Sequence, residues 1–209
     1  MSKNMQNIST YFAEMKNVVA NLPVEQIDQI VDILLQGAVT RRKVFIFGNG
    51  GSASTASHFA CDLSKNTLVE GAPKFRVICL NDNIPLITAW ANDTAYDNIF
   101  AAQLSVLVEP GDIIIAISCS GNSGNVLNAI KVAHQNNAFT IAFTGDKGGK
   151  IKDMVDICVL APTPRIEQQE DIHLILEHCI CANIRDRLLQ EYAPKLELEA
   201  AVSKVTVDR

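Results

Sequence analysis

The sequence predicts an α/β fold, a doubly wound parallel sheet of five strands with a helical pair before it and a long helix after it. Three observations lead to this prediction. Five short apolar runs alternate with helical patterns, which is the order typical of parallel sheets covered by helices. Two of these runs end in loops rich in glycine and serine. The 209 residues, 48% of them hydrophobic, suffice for the core of one domain. The five runs are 43–47, 75–80, 113–117, 138–143 and 157–160.

Two helices are expected before the first strand. Apolar residues recur at helical spacing from about residue 4 to 22, and again from Ile27 to about Thr40, with Pro23 between the two segments. The apolar face of this pair is too broad for an ordinary surface. Such faces usually mark an interface, so we expect the pair to pack against another subunit or element.

The loop after the first strand, Gly48-Asn-Gly-Gly-Ser52, is predicted to approach a ligand. Glycines at a strand-to-helix turn allow positive φ and close contact with the backbone. The loop lacks the third glycine of a dinucleotide fingerprint and the Gly-Lys-Ser/Thr end of a nucleotide P-loop. A simple tight turn would explain one of its three glycines.

The loop after the third strand, Ser118-Cys-Ser-Gly-Asn-Ser123, is predicted to bind an anion, most often a phosphate. It lies between a buried strand and a helix, where unpaired backbone donors and the helix dipole favour negative charge. Each serine hydroxyl can donate to a phosphate oxygen. The alternative is that the serines only cap the helix, which would explain one of the three.

Two further segments carry candidate chemistry. His58 and Asp62 lie four residues apart on the helix after the first loop, a spacing that suits a metal site, a proton-transfer pair or an ordinary surface hydrogen bond. A long helix is predicted from Glu167 to about Tyr192. On it, Glu170 and His178 lie about 80° apart on the helical wheel and are expected to converge. His173 on the same helix is interpreted as a packed, hydrogen-bonded histidine.

Charge and composition exclude several classes of protein. The net charge of −5 without a basic run argues against general nucleic-acid binding. No segment reaches the apolar length of a membrane span, and the first residues lack the apolar core of a signal peptide, so we expect a cytoplasmic protein. The six cysteines lie mostly in apolar runs and are expected to be buried thiols.

Taken in order, these motifs resemble the sugar isomerase (SIS) domain, and within it the phosphoheptose isomerase group. The matching segments are the 48–53 loop, His58 with an acid four residues on, Asn92-Asp93, the 118–123 loop and the paired histidines of the last helix. The resemblance implies one SIS domain over residues 1–209: a helical pair (1–40), a flavodoxin-like α/β core (41–165), a C-terminal helix (166–193) and a tail (194–209). It also implies a homotetramer with active sites completed between subunits.

The resemblance further implies roles for individual residues. It places the sugar phosphate on Asn49, Gly50, Gly51, Ser52, Asp62, Asn92, Asp93, Ser118, Cys119, Ser120, Ser123 and Glu170. It places zinc on His58, Asp62, Glu170 and His178, and it makes Asp62 and His178 the acid–base pair. The sequence departs from the family at three positions: Asp62 replaces a glutamate, Glu170 replaces a glutamine, and Asn66 replaces a usual arginine.

The implied reaction converts sedoheptulose 7-phosphate to an aldoheptose phosphate through an enediolate. A carboxylate and a histidine can exchange base and acid roles in such a proton transfer. Two histidines and two carboxylates suit zinc, with manganese, iron or nickel as alternatives, and a metal-free polar network is a further possibility. The alternative function is a non-catalytic SIS protein: a sugar-phosphate-binding regulator, or a tetrameric scaffold for a partner such as a replication initiator.

Overall fold

The computed structural model describes the backbone of residues 2–207 and the side chains of residues 2–194. The helices are α1 (Lys3–Ala20), α2 (Val24–Val39), α3 (Gly51–Lys65), α4 (Ile84–Asp93), α5 (Ile99–Leu107), α6 (Gly124–Gln135) and α7 (Ile166–Val207). The strands are β1 (Lys43–Gly48), β2 (Arg76–Cys79), β3 (Ile113–Ser118), β4 (Phe139–Thr144) and β5 (Ile157–Leu160). Short 3₁₀ turns lie at Tyr96–Asn98 and Ile151–Asp153.

The five strands form one parallel sheet in the order β2-β1-β3-β4-β5, which confirms the predicted flavodoxin-like fold. The order reverses between β1 and β3, which pair directly although β2 lies between them in the chain. Ligands of such sheets bind at this switch point, beyond the carboxyl ends of the strands. The loops that follow β1 and β3 both lie there.

Both faces of the sheet are covered, which explains why every residue of β1 and β3 is buried. One core includes Leu34 of α2, Phe59 of α3 and Ile180 of α7. The other includes Phe100 of α5 and Ile130 of α6. A strand buried on both faces has apolar side chains at successive positions, which is why the sequence shows continuous apolar runs.

The C-terminal helix is longer than the sequence predicted. We expected it to end near Tyr192, with a separate tail from residue 194, because proline removes a backbone donor and normally breaks a helix. In the structure α7 continues through Pro194 to Val207. The residues after Pro194 include leucine, glutamate, alanine and lysine, which have high helix propensity and favour this continuation.

Two helices expose apolar residues on the outside of the chain. On α1, Met5, Ile8 and Phe12 are 51%, 56% and 68% exposed and recur at helical spacing. On α4, no side chain is buried although the helix is largely apolar. None of the described helices is long and apolar enough to cross a bilayer. These faces are therefore candidates for contacts with other protein chains.

Asp112 fastens the beginnings of β1 and β3 to each other. Its buried carboxylate accepts the backbone N–H of Lys43 at 2.8 Å and the backbone N–H of Glu109 at 2.9 Å. It also lies 3.1 Å from Lys43 Nζ. Lys43 Nζ contacts the exposed carboxylate of Glu109 at the shorter distance of 2.5 Å.

Burial rather than distance should decide which of these two carboxylates matters for stability. Asp112→Ala leaves two backbone donors unpaired and removes a buried ion-pair partner, so we expect it to lower the free energy of unfolding by about 3 kcal/mol. Glu109→Ala is the matched control, and we expect a much smaller loss because its ion pair is solvent-exposed. Urea denaturation of both variants measures the difference. Equal losses would contradict this account.

Candidate active site

The loop between β1 and α3 forms one wall of the site. Gly50 has φ +57°, a left-handed conformation that favours glycine, and it directly precedes the first turn of α3. Gly51 lies directly against Glu170, since a Cβ on this glycine would lie 2.4 Å from Glu170 Oε1. The loop therefore brings the N-terminus of α3 close to the carboxylate of Glu170.

The loop between β3 and α6 forms the facing wall. Gly121 has φ +60°, and a Cβ there would lie 2.0 Å from the carbonyl oxygen of Gly148. Close approach of these two backbones shapes the turn that carries the serines. Asn122 supports it, since its backbone N–H donates to Ser120 Oγ at 3.2 Å.

A pocket of about 170 Å³, called the serine pocket below, lies between the two loops. Of the residues predicted to hold the sugar phosphate, seven line it. The lining consists of Asn49, Ser52, Ser118, Cys119, Ser120, Ser123 and Glu170, together with Ile117 and Ile166. None of these lining residues carries a positive charge. The first turns of α3 and α6 meet at this pocket, so backbone N–H groups and helix dipoles supply its positive potential.

Ser123 does not serve as a side-chain cap. It occupies the N-cap position of α6, but its hydroxyl makes no capping hydrogen bond to the helix. That hydroxyl lies 3.5 Å from Ser118 Oγ, inside the pocket. The alternative that these serines only cap the helix is therefore not what the structure shows, and the hydroxyls remain available to a ligand.

The two loops are joined by a reciprocal pair of amides. Asn49 Nδ2 donates to Asn125 Oδ1 at 2.9 Å, and Asn125 Nδ2 donates to Asn49 Oδ1 at 2.9 Å. The hydroxyl of Tyr96 donates to the same Asn49 oxygen at 3.0 Å. Asn125 is buried and did not figure in our sequence-based site, because an asparagine in a helical run gives no signal of its partner.

His173 lies between the loop of residues 118–123 and the end of β4. Its Nε2 lies 3.1 Å from the carbonyl oxygen of Thr144, which can only accept, so Nε2 carries the proton. Nδ1 then accepts from the thiol of Cys119 at 3.9 Å. Burial lowers the pKa of His173 to about 4, and burial together with the charge of Glu170 raises the pKa of Cys119. The prediction of a packed, hydrogen-bonded histidine is confirmed.

A second group of polar residues lies further along α3 and α7. Ligand atoms of His58, Asp62, Glu177 and His178 all fall within 4.8 Å of one another. Asp62 lies 3.7 Å from His58 and 3.9 Å from His178, measured between carboxylate oxygens and Nε2 atoms. The two imidazoles stand nearly perpendicular, with ring centroids 4.9 Å apart. Both are about half exposed, so the group opens to a ligand from solvent.

Glu177 is the member of this group that the sequence analysis missed. Its side chain is fully buried, and burial followed by the charge of Asp62 raises its pKa to about 8. The available signal was an ionisable residue within an otherwise apolar stretch of the helix, next to a candidate ligand. The family resemblance assigned the glutamate ligand of this helix to Glu170 and gave Glu177 no role.

Glu170 is not part of this group within the described residues, and its predicted role as a metal ligand stays a prediction. Glu170 lies against Gly51 and lines the serine pocket instead. Glu170 and His178 lie about 80° apart around the helix axis, but they are also eight residues apart along it. Eight residues rise by about 12 Å, and in this chain the carboxylate of Glu170 is directed to Gly51 rather than to His178.

Asn92 and Asp93 do not line the pocket. They lie exposed at the end of α4, where Asn92 Nδ2 donates to Asp93 Oδ1 at 2.8 Å. Neither residue is among those that line the pocket within this chain. Their contact with the sugar phosphate stays a prediction, to be met by a site shared between subunits.

Comparison with known proteins identifies the family. Residues 10–145 match the SIS domain family. The chain belongs to this family. Within it, the chain falls in the phosphoheptose isomerase group. It is 38% identical over 176 residues to the phosphoheptose isomerase of Thermodesulfovibrio yellowstonii, covering 84% of this chain and 87% of that protein. It is 36% identical over 180 residues to the phosphoheptose isomerase of Thiobacillus denitrificans, covering 85% and 91%.

A solved SIS structure shows the same architecture. The phosphoheptose isomerase from Neisseria gonorrhoeae aligns with a TM-score of 0.81 at 32% identity, over 88% of this chain and 100% of that one. The NanR protein of Vibrio vulnificus aligns with a TM-score of 0.63 at 14% identity. The second likeness shows only a shared fold.

The buried imidazole of His173 should make the protein sensitive to acid. Its pKa is 6.5 when unperturbed and about 4 in the fold, so between these values the unfolded chain binds a proton that the folded chain does not. His173 therefore does not lower the free energy of unfolding above pH 6.5. As the pH falls from 6.5 to 4, the free energy of unfolding decreases by about 3 kcal/mol.

His173→Gln should remove this share of the acid dependence, as measured by urea denaturation at a series of pH values. His134→Gln, which changes an exposed histidine on α6, is the control and should keep the parent's dependence. An unchanged acid dependence in His173→Gln would refute the assignment.

Proposed function

We propose that this SIS protein is a ketose–aldose isomerase that converts sedoheptulose 7-phosphate to an aldoheptose 7-phosphate. The relatives named phosphoheptose isomerase support the substrate. The proposed sugar-phosphate contacts are those expected from the sequence: the seven polar lining residues of the serine pocket, Gly50, Gly51 and Asp62, with Asn92 and Asp93 reaching a neighbouring subunit.

The decisive feature is the arrangement of two different centres along α3. The serine pocket, suited to a phosphate, lies at the N-terminus of the helix, and the histidine–carboxylate group begins at His58. Gly51 and His58 are seven residues apart, a rise of about 10 Å. An extended heptose with its phosphate at one end and its carbonyl at the other fits this separation. The phosphate end would be held while the carbonyl end reacts.

Asp62 and His178 are the proposed acid–base pair. Isomerisation removes a proton from C1 of the ketose to form the enediolate, moves the hydroxyl proton from O1 to O2, and returns a proton to C2, which leaves the carbonyl at C1. The Asp62 carboxylate can take the first proton, and the imidazole of His178, 3.9 Å from it, can return one. General acid–base catalysis of this kind contributes about 10² to 10⁴ in rate.

A divalent metal ion fits the same group. Two imidazoles and a carboxylate at one point, open to solvent on one side, are the donor set that zinc takes in catalytic sites. His58, Asp62 and His178 would hold the ion, which as a Lewis acid would polarise the carbonyl oxygen of the sugar. Elemental analysis of protein purified without chelator tests for it.

An isomerase assay tests the function directly. With added zinc, the purified chain should convert sedoheptulose 7-phosphate to the aldose, and His178→Gln should reduce kcat by 10²-fold or more because it removes the proton donor. His134→Gln, far from both centres on α6, should retain the parent's rate. Binding of the sugar phosphate without turnover would overturn the enzyme assignment and indicate a regulatory SIS protein.

We further propose that the chain forms a homotetramer. The exposed apolar residues of α1 and the absence of buried side chains on α4 support an assembly that covers these faces. An assembly would also allow Asn92 and Asp93 of one chain to reach the site of another.

Light scattering at micromolar concentration should therefore give four times the chain mass of 22.8 kDa. Phe12→Glu should lower that mass, because Phe12 is 68% exposed within the chain and a charge in an apolar interface is costly. Asn17→Glu, at an exposed position about 140° around α1 from Phe12, is the control. A parent that behaves as a monomer would contradict the proposal.

A further inference from the structure

Glu177 is a buried carboxylate without a hydrogen-bond partner. Its side chain is 0% exposed, and both of its oxygens lack a partner among the described residues. Buried polar groups in proteins are nearly always paired, and an unpaired carboxylate costs several kcal/mol. The position therefore calls for a group that would satisfy these oxygens.

The surroundings of Glu177 consist of other potential metal ligands. Its Oε1 lies 3.4 Å from His58 Nδ1 and 3.3 Å from His178 Nε2, and neither contact forms a hydrogen bond. The nearest other charge is the carboxylate of Asp62, which repels it. With neutral imidazoles and both carboxyl groups ionised, the group would carry two negative charges, which one divalent cation would neutralise.

Glu170 cannot provide the same group. It lies seven residues before Glu177, a rise of about 10 Å, and Gly51 lies seven residues before His58 on the adjacent α3. The two helices therefore run side by side in the same direction with matching intervals. Glu170 faces Gly51 and Glu177 faces His58. Each glutamate belongs to a different centre.

We propose that Glu177, and not Glu170, is the fourth protein ligand of the divalent ion, beside His58, Asp62 and His178. The inference rests on the metal site of the proposed function. Glu170, in the serine pocket, instead accepts hydrogen bonds from sugar hydroxyls near the phosphate. Glu177 is thus the metal ligand and Glu170 the sugar ligand, two roles that the family resemblance assigned to Glu170 alone.

Two isosteric variants separate these roles. Glu177→Gln should weaken Zn²⁺ binding by at least tenfold, measured by titration calorimetry of the metal-stripped protein, and should abolish the rise in Tm on adding Zn²⁺. Without metal its Tm should at least equal the parent's, because the amide brings no charge into this buried position. Glu170→Gln, the matched control, should bind Zn²⁺ as the parent does.

Zn²⁺ binding by Glu177→Gln equal to the parent's would overturn the proposal, and so would loss of Zn²⁺ binding in Glu170→Gln. Should Glu177→Gln not fold, Glu177→Asp carries the same test, since it withdraws the carboxylate by one methylene and should also weaken binding at least tenfold. A parent that takes up no Zn²⁺ overturns the metal site as a whole. A parent that binds Zn²⁺ but does not turn over sugar phosphate overturns only the isomerase assignment.

Discussion

The packing of α7 alongside α3, in the same direction, is the contact on which the whole site depends. α3 follows β1 at the switch point of the sheet, so its N-terminus is fixed beside the serine loop. α7 comes from a distant part of the chain and adds Glu170, Glu177 and His178. Its apolar residues Ile172, Leu176 and Ile180 are buried in the core against the sheet, which fixes the rotation of the helix about its axis. As a result, Glu170 faces Gly51 and Glu177 faces His58 on α3.

The two centres solve opposite electrostatic problems in a protein of net charge −5. The serine pocket must attract an anion without basic side chains, and it uses helix N-termini and hydroxyls that carry no full charge. The histidine–carboxylate group must hold negative charge in a partly buried place, which a cation would balance. Their separation along α3 keeps the carboxylates of Asp62 and Glu177 away from a bound phosphate and leaves Glu170 as the acidic side chain that lines the pocket.

The sequence was sufficient for the fold and for the position of the two loops that line the pocket, because these depend on local patterns. Continuous apolar runs identified the buried strands, and glycine and serine after β1 and β3 identified the loops. The residues of α7 were harder to assign. A wheel projection of Glu170 and His178 shows angle but not axial distance, and only the packing of α7 shows that Glu177 faces His58. Asn125 was missed for the same reason, since its partner is 76 residues away.

The reciprocal amide pair of Asn49 and Asn125 has a consequence for how this protein can change over generations. Each side chain both donates to and accepts from the other, so an aspartate at either position would set two acceptors against each other. Loss of one amide removes the acceptor of the other residue's Nδ2 group. A single substitution at either position is therefore disfavoured, and viable divergence requires both to be replaced together. Among proteins that descend from this chain, we expect the two positions to change together.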